Sequence, residues 1–493
     1  MLFNSIEFLI FLPLVFVVYW LLGKYRTMQN LLVLIASYVF YGWWDVKFLI
    51  LIVFTSLWSY FAGLIELSRH PFDFDSPTGK SAHHGSRILL AITLVVNLGI
   101  LAYFKYCNFF LDSFYGLLSF IGVRPVSRFT LNIILPVGIS FYTFQAMSYS
   151  IDVYRRTIRP TKDVIAYLAF ISFFPQLVAG PIERATNLLP QFLKPRFFDH
   201  ADAVAGCRQM LWGFFKKCVV ADRCAVLANA IFNNCDHTGP GTMVVGTLAF
   251  TVQIYGDFSG YSDIAIGCGR LFGIRLMENF RLPYFSRDIA EFWRRWHVSL
   301  TTWFRDYLYI PLGGSRCGMA KKIRNTFVIF LVSGLWHGAN WTFVLWGLFH
   351  AICFIPLLLL GVNRRRVAAN GTSDNYTVFD VFRISMTFAL VSFGWMIFRA
   401  PDVSSLFCWI GNLFDFNMVG GFFAGLPRKI GLKDTMMICA VFFSWEWLSR
   451  KYRTPLLMLP KFKMLRWVVY LALLLVLFVY MPDTAEEFIY FQF

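Results

Sequence analysis

Residues 288–306 of the chain read DIAEFWRRWHVSLTTWFRD, in which acidic and basic side chains are interspersed with Trp293, Trp296 and Trp303. A loop in water does not need so many aromatic rings, and a helix that faces lipid could not hold so many charges. The remaining possibility is a set of polar, aromatic-rich helices that are buried in protein or line a cavity at membrane depth. We therefore predict such helices for residues 255–316, which share this composition.

The rest of the chain is strongly apolar. Of its 493 residues, 58% are hydrophobic and only 15% are charged, whereas soluble proteins carry about 25% charged residues. Composition therefore excludes a soluble globular enzyme, and 56 Phe and 16 Trp exclude intrinsic disorder. We predict an all-α integral membrane protein with one polytopic domain over residues 1–493, a motif-rich core at 131–361 and an aromatic tail at 482–493.

Apolar segments recur along the whole sequence, and a spanning helix needs about 20 mostly apolar residues. Clear candidates are 3–22, 48–65, 88–103, 131–149, 341–360, 384–398 and 467–481; shorter or more polar ones are 28–44, 109–121, 164–178, 211–231, 242–254, 323–336 and 435–447. We expect about 11 to 13 segments, some of them re-entrant. No Lys or Arg precedes the first segment, and Lys24 and Arg26 follow it, so the N-terminus is expected on the outer side.

The net charge of +17 is explained by basic residues in the short loops between apolar segments, as the positive-inside rule requires. No basic stripe with base-stacking aromatics occurs outside the apolar segments, so nucleic acid is not an expected partner. The ten cysteines form no CxxC motif and no Cys/His cluster with zinc spacing, and we predict no metal site.

Two histidines are candidates for chemistry. His337 lies in SGLWHGANW, residues 333–341, between two apolar segments, and His297 lies in the polar aromatic stretch. An ionisable side chain at membrane depth is a functional hypothesis by default, and an imidazole suits proton removal from a hydroxyl near neutral pH. The competing interpretation for both is a structural, hydrogen-bonded histidine.

Several motifs occur in a recognisable order. They are MLFNS at 1–5, LPVGISFYTF at 135–144, VAGPI at 178–182, DFSGYSD at 257–263, WRRWH at 293–297, GLWHGANW at 334–341 and FIYFQF at 488–493. With them, the chain resembles the membrane-bound O-acyltransferase superfamily over nearly its whole length. It looks most like the membrane subunit of alginate O-acetyltransferase systems, and less closely like the D-alanyl transfer protein of teichoic-acid systems.

The resemblance implies a multi-helix body around a central tunnel, in the inner membrane of a bacterium. Such proteins move an acyl group, usually acetyl, from a cytoplasmic donor to a hydroxyl on the outer face. The implied donor is acetyl-CoA, with no permanently bound cofactor. The implied acceptor is an exported polysaccharide such as alginate, or a periplasmic acetyltransferase partner. His337 matches the essential histidine of the superfamily. The second superfamily position is commonly Asn in lipid- and protein-modifying members and His in the polysaccharide branch, and here it is His297.

Roles for the polar residues follow from this chemistry. His337 could act as the base for the hydroxyl or take the acyl group itself, and His297 or nearby Trp N–H groups could donate to the oxyanion. Arg294, Arg295 and Arg305 are candidates for the donor phosphates, because guanidinium binds phosphate in a bidentate way. Alternatively, these arginines pair with neighbouring carboxylates or serve as positive-inside residues.

The tail pattern Phe488-x-Tyr490-x-x-Phe493 resembles the C-terminal peptide of the small partner of the D-alanyl transfer protein, whose Tyr is implicated as an acyl carrier. Tyr490 is therefore a candidate to receive the acyl group near His337; the alternative is an interfacial aromatic anchor. Two other functional classes remain open at this point, namely a polytopic transporter or flippase and a non-catalytic scaffold for a periplasmic acetyltransferase.

Overall fold

The computed structural model describes residues 1–69, 86–123, 131, 133–178, 180–234, 238–362, 376–416, 421–427, 431–452, 454–459, 462–480 and 488–489. Within these ranges the chain is helical and contains no strand, which confirms the all-α prediction. One continuous domain is expected from the sequence. The internal contacts group into two compact units, Met1–Gly206 with Cys268–Met277, and Cys207–Gly267 with Glu278–Phe493.

The first unit begins with the following helices: α1 Ile6–Leu21, α2 Arg26–Gly42, α3 Leu49–Arg69, α4 Arg87–Phe120, α5 Ile139–Tyr154, α6 Val164–Ser172, α7 Phe174–Leu177 and α8 Ala185–Phe192. Helix α2 packs on α6, and both α3 and α4 pack on α5. Polar side chains reinforce these contacts: Asn30 donates to the carbonyl oxygen of Phe192 at 2.9 Å and accepts from Arg196 at 2.6 Å. Such hydrogen bonds matter in lipid, because apolar contact between helices gains little there.

The second unit contains the remaining helices: α9 His200–Phe214 (which begins in the first unit), α10 Asp222–Phe232, α11 Pro240–Leu271 (which ends in the first unit), α12 Ile289–Arg295, α13 Val298–Phe304, α14 Met319–His337, α15 Trp341–Leu359, α16 Val378–Arg399, α17 Val403–Phe414, α18 Leu432–Leu448 and α19 Lys463–Tyr480. Two π-helical turns interrupt the α-helical pattern, Phe215–Ala221 between α9 and α10, and Arg305–Tyr309 after α13. Most of residues 255–316 are buried, as predicted from their composition.

Five of the described helices are long and apolar enough to cross a membrane. They are Val46–Arg69, Arg87–Phe120, Trp341–Leu359, Val378–Arg399 and Lys463–Tyr480. The larger predicted number has two physical causes. The segments 88–103 and 109–121 form one 34-residue helix, α4, which contains no proline, and several other segments are helices of only 16 or 17 residues, such as α1 and α2. The predicted segment 131–149 becomes helical only at Ile139, because Gly138 before it has φ = +73°.

Helices α14 and α15 form a tight antiparallel pair joined by Gly338, Ala339 and Asn340. Glycine permits this approach, since a methyl group at Gly334 would collide with the backbone oxygen of Phe343, and one at Gly347 with that of Phe330. Asn340 caps α15 by accepting from the Thr342 N–H at 3.1 Å. The pair is thereby held close along its length, and this fixes the position of His337 at the end of α14.

A buried ion cluster joins three stretches of the second unit. Lys217, on the first π-helical turn, lies 2.9 Å from a carboxylate oxygen of Asp222 and 2.9 Å from one of Asp257. The other oxygen of Asp257 accepts the backbone N–H of Ile489 at 2.8 Å. Because a buried carboxylate is stable only when it is paired and hydrogen-bonded, Asp257 links the lysine to the tail.

Aromatic packing holds the tail at the same place. Phe488 is fully buried, with its ring 4.4 Å from that of Tyr261 and 5.8 Å from that of Phe258. Both partners lie on α11, one and four residues after Asp257. The tail is therefore anchored by one charge-assisted hydrogen bond and one aromatic cluster, both provided by α11.

This anchor predicts a specific effect of Asp257 on the tail. Asp257→Leu removes the acceptor of the Ile489 N–H, which costs about 1–3 kcal/mol and should raise amide exchange in the peptide containing Ile489 about tenfold. Asp257→Asn retains an acceptor oxygen and should raise exchange much less. Hydrogen–deuterium exchange with mass spectrometry in nanodiscs measures both. Equal exchange in Asp257→Leu and wild type would contradict the anchor.

Candidate active site

A cavity of about 320 Å³ in the second unit is lined by residues of α12, α13, α14 and α15. Its walls are mostly rings and aliphatic side chains, including Trp293, Phe330 and Leu358. Two histidines, His297 and His337, line the same cavity. The structure thus brings together the two residues that the sequence singled out for chemistry, although they are 40 positions apart in the chain.

His337 is the last residue of α14 and is only 4% exposed. Its imidazole lies among three aromatic rings, with centroid distances of 4.9 Å to Trp336, 5.1 Å to Trp346 and 5.3 Å to Phe398. The helix ends there because Gly338 takes an extended conformation, φ −167° and ψ 159°. These contacts limit the positions that the ring can occupy while leaving it on the cavity wall.

His297 lies between α12 and α13, where it caps α13 in a left-handed conformation with φ = +43° and ψ = +53°. Few residues other than glycine adopt this region, and such a conformation costs on the order of 1–3 kcal/mol. The side chain is 1% exposed. Its ring packs edge-on against Phe258 at 4.7 Å and lies 5.9 Å from Trp336.

Asn279 is the polar partner of His297. The Nδ1 atom of His297 lies 3.0 Å from the Oδ1 atom of Asn279. The same oxygen accepts the Ser299 hydroxyl at 2.9 Å, while the amide nitrogen donates to Ser262 at 3.1 Å. The backbone also connects the two segments, since the Val298 N–H donates to the carbonyl oxygen of Asn279 at 2.9 Å. His297 is therefore oriented by an amide that is itself held on both sides.

The three arginines occupy different environments. Arg294 and Arg305 line the cavity, whereas Arg295 is absent from its wall. Arg295 is buried and pairs with Glu291 at 2.6 Å. Arg305 pairs with the neighbouring Asp306 at 2.6 Å, and its side chain is 57% exposed. Internal pairing, the alternative considered above, is thus present for Arg295 and Arg305. The exposed pair of Arg305 with Asp306 contributes little to stability and opens readily for a ligand.

The tail approaches the same region through α11. The ring of Phe488 lies 5.8 Å from that of Phe258, and the Phe258 ring lies 4.7 Å from the imidazole of His297. The candidate carrier Tyr490 follows Ile489 directly in the sequence, but it lies outside the described residues.

Two parts of the site were missed by sequence reasoning. Asn279 stands 18 residues before His297 in a segment without helix or strand, so no periodicity connects them. Lys217 had a signal that could have been used, because two adjacent lysines stand at 216 and 217 within the candidate membrane segment 211–231. Both lysines are buried and paired, Lys216 with Asp263 and Lys217 with Asp222 and Asp257.

The arrangement suits acyl transfer to a hydroxyl. A mostly apolar cavity keeps water away from a reactive acyl group, and imidazoles on its wall can accept a proton or an acyl group. Arg294 and Arg305 add positive charge to the wall.

Comparison with known proteins agrees with this chemistry. Residues 153–393 match the model of the membrane-bound O-acyltransferase family. The chain is 43% identical to the Probable alginate O-acetylase AlgI of Pseudomonas putida over 418 residues, which cover 84% of this chain and 81% of the relative.

Two further relatives have different names. The Peptidoglycan O-acetyltransferase of Helicobacter pylori is 34% identical over 82% of this chain and 78% of its own length. The Teichoic acid D-alanyltransferase of Bacillus subtilis is 29% identical over 54% of this chain and 69% of its own length. With the all-α fold, the candidate spanning helices and the histidine-lined cavity, these matches show that the chain is a multi-pass membrane enzyme that belongs to the membrane-bound O-acyltransferase family.

Proposed function

We propose that this enzyme takes acetyl groups from acetyl-CoA on the cytoplasmic side and passes them across the membrane for O-acetylation of an exported polysaccharide. The observation that carries the proposal is the cavity whose mostly apolar wall contains both His297 and His337. Two relatives that are more than 30% identical are named for O-acetyl transfer, one on alginate and one on peptidoglycan. The acetyl group and the polysaccharide class are inferred from these names, and alginate is the first candidate acceptor.

His337 is the reacting histidine in this proposal. It either removes the proton of the incoming hydroxyl or takes the acetyl group itself. The support is its position on the cavity wall, and three surrounding rings that hold the imidazole in place. A transporter needs no such nucleophile or base, and a non-catalytic scaffold needs no cavity, so both alternatives explain fewer of these features.

The donor is bound through its phosphates by arginine. Arg305 combines a position on the cavity wall with a half-exposed side chain, so it can contact a soluble anionic donor and the cavity at once. Arg294, which also lines the cavity, is the second contact. Arg295 is left out of this role, because its guanidinium pairs with Glu291 and donates to the carbonyl oxygen of Leu282.

The tail delivers the acetyl group on the outer side. Tyr490 receives it near His337 and passes it to a periplasmic acetyltransferase or directly to the polysaccharide. Support comes from the neighbouring residues, since Ile489 is hydrogen-bonded to Asp257 and Phe488 packs in the aromatic cluster that reaches His297. This route assigns the protein to the bacterial inner membrane with its N-terminus outside.

Removal of the reacting histidine tests the proposal. In nanodiscs supplied with radiolabelled acetyl-CoA and an oligosaccharide acceptor, His337→Ala should lower the rate of CoA release at least about 100-fold, the usual contribution of a general base or nucleophile. His350→Ala is the matched control, because His350 is equally buried but does not line the cavity, and it should keep most of the activity. If wild-type protein released no CoA even with a partner acetyltransferase present, the donor assignment would be wrong.

The carrier role of Tyr490 is tested by the label on the protein. Wild-type protein should hold acetyl on the peptide that contains Tyr490, and Tyr490→Phe should lose both that label and polysaccharide acetylation in cells. Tyr480→Phe removes a tyrosine hydroxyl from the end of α19 and should change neither. Full acetylation in cells with Tyr490→Phe would reduce the tail to an aromatic anchor.

A further inference from the structure

We infer that His297 is the proton acceptor of the acyl transfer and that Asn279 is the positioning residue that keeps the lone pair of its Nε2 atom directed to the cavity. The inference deepens the proposed function and rests on it. It assigns His297 a role opposite to the oxyanion donor expected from the sequence. Of the two roles proposed above for His337, it leaves acceptance of the acetyl group.

The first step is the orientation of the Asn279 amide. Its Oδ1 atom faces two donors on Ser299, the hydroxyl at 2.9 Å and the backbone N–H at 3.4 Å. A backbone N–H can only donate, so the atom that it faces must be the oxygen. The amide nitrogen then donates to the Ser262 hydroxyl at 3.1 Å. The Ser299 backbone thereby fixes which end of the amide meets His297.

The second step is the tautomer of His297. Its Nδ1 atom lies 3.0 Å from that amide oxygen, and an oxygen of this kind only accepts. The Ser299 hydroxyl also lies near Nδ1, at 3.3 Å, but it is closer to the amide oxygen, to which it donates at 2.9 Å. We therefore place the ring proton on Nδ1, which leaves the lone pair on Nε2. The same logic applies in hydrolase triads, where a third group holds the imidazole in the tautomer that can take a proton.

The third step is the surroundings of the free nitrogen. The Nε2 atom of His297 is buried and has no hydrogen-bond partner in the part of the chain that the structure describes. A buried acceptor without a partner costs free energy, and so does the left-handed backbone at this residue. Both costs fall on the same residue, His297, which lines the cavity. An incoming hydroxyl would supply the hydrogen bond that Nε2 lacks.

The reaction step then balances as follows. The acceptor oxygen attacks the acyl carbon, and a carbon–oxygen bond forms as the bond from that carbon to its carrier breaks. The carrier atom is an imidazole nitrogen of His337, which has taken the acyl group from the donor thioester with release of the thiol. The hydroxyl proton goes to Nε2 of His297 and from there to the departing atom, which leaves with the bonding electron pair.

The experiment compares two changes at Asn279. Asn279→Leu has a similar size but no acceptor, so it should lower kcat for acetyl-CoA turnover about 100-fold and leave KM nearly unchanged. Asn279→Asp retains an acceptor for Nδ1–H, and the Ser262 hydroxyl can rotate to donate to it, so this variant should recover most of kcat. Asn97→Leu makes the same change at an equally buried asparagine of α4 and should leave kcat within a few-fold of wild type.

A second readout does not depend on acetyl transfer. Diethylpyrocarbonate acylates the lone pair of a neutral imidazole, and peptide mass spectrometry can follow its reaction at His297. Wild-type protein should react several-fold faster at His297 than Asn279→Leu does. If the wild-type enzyme did not turn over acetyl-CoA but this difference persisted, the proposed function would fail while the assignment of the lone pair stood.

Three results would overturn the inference. The first is full kcat in Asn279→Leu. The second is an equal loss of kcat in Asn279→Leu and Asn279→Asp, which would make Asn279 a structural residue. The third is equal carbethoxylation of His297 in wild type and Asn279→Leu, which would mean that the amide does not set the tautomer.

Discussion

A buried positive charge that must be balanced inside the second unit organises much of this enzyme. Lys217 is 1% exposed, and water does not compensate a charge at that depth. Asp222 and Asp257 therefore come within 2.9 Å of it from α10 and α11. Because Asp257 also accepts the Ile489 N–H, one charge fixes a π-helical turn, the middle of α11 and the tail. The next residue of α11, Phe258, packs against His297, so one ring contact connects the cluster to a residue of the cavity wall.

The cavity itself combines apolar walls with a few oriented polar groups, as small-molecule sites usually do. The walls come from rings and aliphatic chains, whereas the polar groups sit on helix ends: His337 closes α14 and His297 opens α13. Helix ends expose side chains that the middle of a helix would direct to its neighbours. The tight pairing of α14 and α15 at Gly334 and Gly347 gives one of these ends a rigid base, which acyl transfer requires for short-range alignment.

Much of this arrangement could be predicted from the sequence, because charged side chains within apolar segments must face the protein interior or a cavity rather than lipid. The buried aromatic region and the all-α class follow from that constraint, whereas the expectation that His297 and His337 share one site came from the resemblance to the acyltransferase superfamily. The division into segments 88–103 and 109–121 could not be predicted correctly, because the polar link between them contains no helix breaker and both belong to the single helix α4. Asn279 could not be found either, because its role depends on a contact with His297, 18 residues later, across a stretch that contains α12 and irregular chain. The sequence also did not separate the three candidate arginines, because Arg295 pairs with Glu291 in a buried position whereas Arg305 pairs with Asp306 near the surface.

The left-handed backbone at His297 has a consequence for which substitutions this position can accept. Apart from glycine, the residues most tolerant of that conformation are asparagine, aspartate and histidine. Histidine thus satisfies the conformation that the chain requires at position 297, whereas a β-branched or bulky apolar side chain would be strained there. The main chain of this protein therefore limits which side chains can stand at this place on the cavity wall, independently of what the reaction requires.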